Sequence, residues 1–387
     1  MSSRPLKLLF VINHLFPTGG AEIQLTHLAK GLAERGHDVT VCCIDSWSID
    51  PHSLEASGVQ LVALQAGTRL CRIAAMPRLT RLARRVDVVQ CTMWDASLWG
   101  RIAAALARRP VIVADHATDR SMQVSSRGAP RAGWIERHNR MLDRFTFATV
   151  ACATSQWPVL VGEGIDADKI VHIPNGVPIG ELRRAADRGL PRDSVGLPEH
   201  ALVALHVGVF RQEKNQVGAL EAVARAREEI PNIELVFVGT GATRQEVEAR
   251  AGEMGATAWT HFLGVRGDVP ALLGLADVMI SPSRADAMPM TILEAMAVGT
   301  PIVATDVGDV AEMVDGAGIV VPPGDARVFA DALVHVLSDA QLRSDLADAG
   351  RKQARRFDSF AMVESYAALF EAAVSGTTPP STPVVVP

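Results

Sequence analysis

Apolar residues fall in short runs of five to eight, separated by segments of helical or loop character. In the first half the runs are KLLFVIN (7–13), DVTVCCI (38–44), VQLVAL (59–64), VDVVQC (86–91), PVIVAD (110–115), FATVACA (147–153) and KIVHIP (169–174). Each has strand length and β-branched character, and the alternation with helical segments predicts βαβ units around a parallel sheet covered on both faces. Residues 178–200 have no sustained apolar period and are punctuated by Pro and Gly, which places a connection there. A second series follows: ALVALHVG (201–208), IELVFVG (233–239), WTHFLG (259–264), DVMISP (277–282), PIVAT (301–305) and GIVVP (318–322). Helical patterns cover about 325–337, 340–356 and 359–374, and the Pro- and Thr-rich tail 375–387 is expected to be disordered. The chain therefore reads as an α/β protein of two doubly wound, Rossmann-like domains, 1–177 and 201–358, with a C-terminal helix expected to return to the first.

A length of 387 residues suits two domains, and 48% hydrophobic with 21% charged residues excludes a largely disordered chain. The longest charge-free run, Phe145–Gly162, contains three threonines and Pro158 and reads as strand, turn and helix, not a membrane span. The start, MSSRPLKLLFVIN, loses its apolar character at Asn13 and His14, so a signal peptide is not expected. Five cysteines without metal or disulfide spacing fit a reducing cytoplasm. The net charge of −5 conceals an asymmetry: residues 1–175 hold 20 Lys+Arg against 15 Asp+Glu, and the remainder 18 against 28. Residues 69–144 alone carry 15 Arg and 6 acids, a basic surface or an arginine-rich set of solvated helix faces.

Ligands of open α/β sheets bind beyond the carboxyl ends of the strands, so the loops there are the candidates for chemistry. After the first strand, Gly19 and Gly20 open a helix, either as a tight turn or as an anion site of free amides. The dinucleotide fingerprint Gly-x-Gly-x-x-Gly is absent. In VGVFRQEKN (207–215), Arg211 and Lys214 enter a helix, where cations and amides suit a diphosphate, although solvated surface charges look the same. In the stretch 280–314, Asp286 precedes a helix from about Met290 to Gly299 that carries Glu294. The two acids suit sugar or ribose hydroxyls; a helix cap and an exposed glutamate are the alternative.

Taken together, GGAE, ADHATD, IPNGV, VGVFRQEKN, HFLGVRGDV and DVMISPSRADAMPMTILEAMAVGTPIVATDVG resemble the retaining glycosyltransferases of GT-B fold in the large family 4. The resemblance runs over nearly the whole chain and implies two domains facing a cleft. It implies a hexosyltransferase that uses a nucleoside diphosphate sugar, UDP- or GDP-linked, with no required metal or other cofactor, and no nucleic-acid partner. Residue by residue, it implies Gly19 and Gly20 near the diphosphate, His116 beside the donor sugar and Lys214 with Arg211 on the diphosphate. Val265 and Arg266 would meet the base, Asp286 the donor sugar and Glu294 the ribose, with amides around Met288, Met290 and Thr291 on sugar or phosphate; Pro289 has none to offer.

Two departures from the family pattern stand out. Val209 follows Gly208 where the family usually has Arg, so Arg211 is the nearest replacement, and Asp286 is one methylene shorter than the usual Glu. Asp166-Ala167-Asp168 has the form of a metal motif but lacks accompanying ligands. A sugar-nucleotide epimerase and a non-catalytic nucleotide-sugar binding protein are the rival readings. The segment 68–87 sets Arg72, Arg78, Arg81, Arg84 and Arg85 among apolar residues, interrupted by Pro77. It raises peripheral contact of a cytoplasmic protein with an anionic inner membrane face, beside the simpler reading of a sheet-covering helix.

Overall fold

The computed structural model describes residues 4–116 and 132–379, without the side chains of 132–136. Part of the tail read as disordered, 380–387, lies outside the described residues. The chain divides into two compact units, 1–176 with 359–387, and 177–358.

In the first unit every apolar run becomes a strand: β1 (Lys7–Ile12), β2 (Asp38–Cys43), β3 (Gln60–Ala63), β4 (Val88–Thr92), β5 (Val111–Asp115), β6 (Thr146–Ala151) and β7 (Ile170–His172). They form a parallel sheet in the order β3-β2-β1-β4-β5-β6-β7. The helix Ser359–Ser375 packs on this sheet: Met362, Val363, Tyr366, Leu369 and Phe370 join Phe10 and Ile12 of β1 and Leu25, Leu28 and Leu32 of the helix Gly20–Glu34 in one core. The C-terminal helix thus returns to the first unit, where burying five large side chains at ~1.5–3 kcal/mol each holds it.

The second unit repeats the plan with β8 (Leu202–Val207), β9 (Ile233–Val238), β10 (Thr260–Phe262), β11 (Val278–Ser281), β12 (Ile302–Thr305) and β13 (Gly318–Val321), all parallel, in the order β10-β9-β8-β11-β12-β13. The stretch 178–200, read as a connection, holds the helix Ile179–Ala186, which packs in this unit: Arg183 donates to the carbonyls of Ala297 (2.8 Å) and Arg351 (3.1 Å).

Pro77 does not interrupt its segment as expected; the helix Arg69–Arg84 runs through it. The proline and Ile73, whose carbonyl loses its helical donor, are both exposed, so the unmade bond faces solvent and not the core. Arg72 leaves the expected basic face. It turns inward to Asp95 (2.7 Å), Asp45 (3.4 Å) and the carbonyl of Ala66 (3.1 Å), while Arg78, Arg81, Arg84 and Arg85 remain exposed.

Candidate functional site

Strand order reverses between β8 and β11 in the second unit, so the loops leaving these two strands diverge and open the crevice where α/β sheets hold ligands. These are the loops that carry Arg211, Lys214 and Asp286. Glycines let the loops crowd together. A Cβ on Gly239, which has φ +129°, would collide with the carbonyl of Gly208, and one on Gly241 with the backbone of Phe210. The amide of Gly239 donates to Gly264 O (2.7 Å) and that of Phe210 to Thr240 O (3.0 Å). Gly308 fits beneath the carbonyls of Asp286 and Ala287 for the same steric reason.

Within this crowded edge three cations, Lys214, Arg211 and Arg266, stand beside acids. The Lys214 ammonium donates to the Asp286 carboxylate, both largely shielded from solvent. Arg211 Nη1 lies 3.7 Å from Glu213 Oε1 but is more than half exposed. Arg266 forms a two-pronged contact with Asp268 (2.8 and 2.6 Å), which holds that carboxyl below the usual carboxylate range and leaves Val265 at the exposed tip of the loop.

Glu294 is different. The helix Met290–Val298 starts after Pro289 and ends at Gly299 in the left-handed region, as the sequence indicated. Glu294 is buried in it, not exposed, and among the described residues no hydrogen bond or charge offsets that burial at its carboxylate. Burial without a partner pushes its pKa up to about 7. Met288 and Met290 are also buried; Thr291 is half-buried, and the first-turn amides of Met290 and Thr291 have no carbonyl of their own helix to bond.

Two residues that sequence reasoning passed over belong to this edge. His206, in β8, donates from Nδ1 to Ile280 O (3.0 Å), and its buried Nε2 has no partner among the described residues; burial lowers its pKa to about 4. Asn215, with φ +53°, donates from Nδ2 to Pro282 O (3.1 Å). The asparagine before a helix was a readable cap signal, whereas nothing in the run VALHVG marks the histidine as interior.

In the first unit, Gly19 caps the helix Gly20–Glu34, and the Glu22 side chain folds back over it, so a Cβ at Gly19 would strike the carboxylate. An acid at the third helical position thereby occupies the anion-favouring end of its own helix. His116 directly follows β5; burial lowers its pKa to about 4, and Nε2 has no hydrogen-bond partner among the described residues. Asp166 accepts from the amide of Asp168 (3.1 Å), a turn cap. No cluster of potential metal ligands occurs among the described residues.

The chain matches two families, Glycosyltransferase Family 4 over residues 18–181 and Glycosyl transferases group 1 over residues 187–353. A phosphatidyl-myo-inositol mannosyltransferase of Mycobacterium leprae (strain TN) is 26% identical over 353 residues, 88% of this chain and 89% of that protein. The lipopolysaccharide core biosynthesis glycosyltransferase LpsE of Rhizobium meliloti (strain 1021) is 32% identical over 178 residues, 45% of this chain and 51% of that one. Among solved structures, Anabaena Alr3699/HepE in complex with UDP and glucose superposes with a TM-score of 0.81 at 22% identity, covering 94% of this chain and 98% of the other.

Proposed function

We propose, for a chain that belongs to the GT-B glycosyltransferases of the group 1/family 4 type, that it moves a hexose from a nucleoside diphosphate sugar to an acceptor hydroxyl with retention of anomeric configuration. The second unit is the donor-binding half and the first the acceptor half. The observation that carries this reading is the β8/β11 edge, where Lys214 and Arg211 on the loop after β8 lie beside the loop leading into the helix Met290–Val298, and that helix carries Glu294, a buried carboxylate with no hydrogen-bond partner among the described residues.

Each group has a task. Negative charge develops on the departing diphosphate, and Lys214, Arg211 and the amides of Met290 and Thr291 stabilise it without a metal ion. Glu294 accepts hydrogen bonds from the ribose hydroxyls, and Val265 and Arg266 border the base. No side chain is assigned as a covalent nucleophile; the acceptor hydroxyl attacks from the face that the leaving group departs. UDP as the nucleotide is supported by the HepE complex with UDP and glucose, with GDP as the alternative. A lipid-linked envelope acceptor is supported by the names of the M. leprae and R. meliloti relatives. It is supported too by the exposed Leu70 and Ile73 beside Arg78, Arg81, Arg84 and Arg85, a surface that suits the inner face of an anionic membrane. Among the described residues no helix is long and apolar enough to cross a membrane.

A panel of UDP-, GDP- and ADP-sugars tested for thermal stabilisation identifies the donor, because bound ligand raises apparent stability by mass action. Glu294→Ala is then expected to weaken that donor about tenfold to a hundredfold, the worth of ~1.5–3 kcal/mol for hydrogen bonds to a charged group. Stabilisation by none of the sugars, or unchanged donor affinity in a folded Glu294→Ala, would sink the reading.

A further inference from the structure

The two loops at the β8/β11 edge are joined at three points. The amide of Arg284 donates to Glu213 O (2.7 Å), Asn215 Nδ2 donates to Pro282 O (3.1 Å), and between these the Lys214 ammonium donates to the Asp286 carboxylate. The Asp286 side of the seam has its own support, since Asp309 N donates to Ala287 O (3.0 Å) and Gly308 fills the space under the two carbonyls. On the Lys214 side the loop is held at its ends, by Phe210 N on Thr240 O (3.0 Å) and Gln216 Nε2 on Val209 O (3.0 Å), while Lys214 itself lies in a single 3-10 turn, Gln212–Lys214, that ends at the left-handed Asn215. A lysine has four rotatable side-chain bonds and keeps a fixed direction only when something holds its end.

We propose that Asp286 is a positioning residue for Lys214: it holds the ammonium at the mouth of the edge so that the donor diphosphate meets a pre-aimed cation. The inference rests on the reading of this edge as a nucleoside diphosphate sugar site, and it gives Asp286 a task beside the donor-sugar contact that the family resemblance implied. Geometry favours it because the carboxylate already contacts the ammonium directly. The shorter Asp side chain keeps that contact close to the backbone, which Gly308 and Asp309 fix from below. Pairing also retains the cation's charge for the reaction, as the diphosphate carries more negative charge than one carboxylate and shares the three-donor ammonium with it.

A double-mutant cycle with Asp286→Asn and Lys214→Ala tests this, with titration calorimetry against UDP, UDP-glucose and uridine, or the guanosine series if only GDP-sugars stabilise the wild type. Lys214→Ala is expected to lower diphosphate affinity about tenfold to a hundredfold. Asp286→Asn should lower it roughly three- to tenfold, and the double variant should match Lys214→Ala alone, because both act through one cation. Uridine should bind equally to all, which a merely structural defect would not allow. Asp286→Asn that binds UDP unchanged or more tightly, or losses that multiply in the double variant, would overturn the proposal. A wild type that binds no nucleoside diphosphate would overturn the donor reading instead. Amide exchange then decides the positioning claim by itself: Asp286→Asn should speed exchange over residues 211–215 and leave the helix Met290–Val298 unchanged, and equal exchange in the 211–215 loop would refute it.

Discussion

The two units share one alternation of strand and helix but treat the polar groups near their strand ends differently. In the second unit Lys214, Arg211 and Arg266 each stand beside a carboxylate of the same edge. In the first, Gln90 and Thr92 of β4, Thr149 of β6 and Nε2 of His116 are buried with no hydrogen-bond partner among the described residues; the second has such groups too, Nε2 of His206 and the hydroxyls of Thr243 and Thr260, but sets its cations among them. A buried polar group without a bond costs ~1–3 kcal/mol, and nearly all such groups find a partner in protein, water or ligand. Charges held in place are suited to a diphosphate, whose position must be fixed before it leaves. Neutral donors and acceptors are suited to hydroxyl-bearing molecules. The contrast therefore fits the proposed division of donor and acceptor work between the units.

Glu294 stands apart from these cation–acid pairs, as a buried acid with no hydrogen-bond partner among the described residues, and it supplies the sharpest test. Its folded pKa of about 7 lies above its ordinary 4.5, so between these values the folded protein holds a proton that the unfolded chain has released. Its contribution to stability is fully present below 4.5 and is lost as pH rises through 7, by about 3 kcal/mol at ~1.36 kcal/mol per unit. Glu294→Gln removes that loss. Denaturant unfolding at pH 4.5 and pH 8 should show the variant gaining on wild type by about this amount at the higher pH. A constant difference would mean that the carboxylate has a partner after all. Bound donor, by donating ribose hydroxyls to the carboxylate, should shrink the difference.

The architecture was legible because apolar period and strand length are local properties. Every run identified as a strand forms one, and Gly299 ends its helix as the turn chemistry requires. The burial of Glu294 was not legible, since an acid on a helix faces water or core according to which neighbours cover it, and those come from distant segments. The inward turn of Arg72 escaped for a related reason: its partners, Asp45 and Asp95, lie 27 and 23 residues away. Glycine pairs were visible, but the steric demand at Gly239 and Gly308 arises from loops that sequence alone does not bring together.

The basic face of the first unit gives the next test, smaller and dependent on conditions. With Arg72 withdrawn, Arg81, Arg84 and Arg85 remain exposed on or just after one helix that also exposes Leu70 and Ile73. At ~1 kcal/mol for each basic residue near an anionic surface, replacing these three by Gln should weaken sedimentation with anionic vesicles by roughly one to two orders of magnitude at low salt. The difference should fade as salt shortens the screening length. Wild-type protein that stays in the supernatant with anionic vesicles at low salt would point to a soluble acceptor.

The smallest expected effect concerns His116, and there the absence of a change is the result that matters. Burial lowers its pKa to about 4, so the ring is neutral from pH 5 to 8 and offers hydrogen bonding without charge. Stability linked to this group is full above its ordinary 6.5 and is lost as pH falls toward 4, because the unfolded chain then binds the proton more readily. A neutral ring cannot supply an ionisation near pH 6.5 to the rate. Wild type and His116→Asn should therefore differ in the height of kcat/KM but trace parallel profiles across pH 5 to 8, with any limb near 7 arising from Glu294. An NMR titration of the ring carbons checks the cause directly. A midpoint near 6.5 would show that the imidazole meets water or an acid, and the first unit would then hold a titrating charge where the comparison assigns it a neutral one.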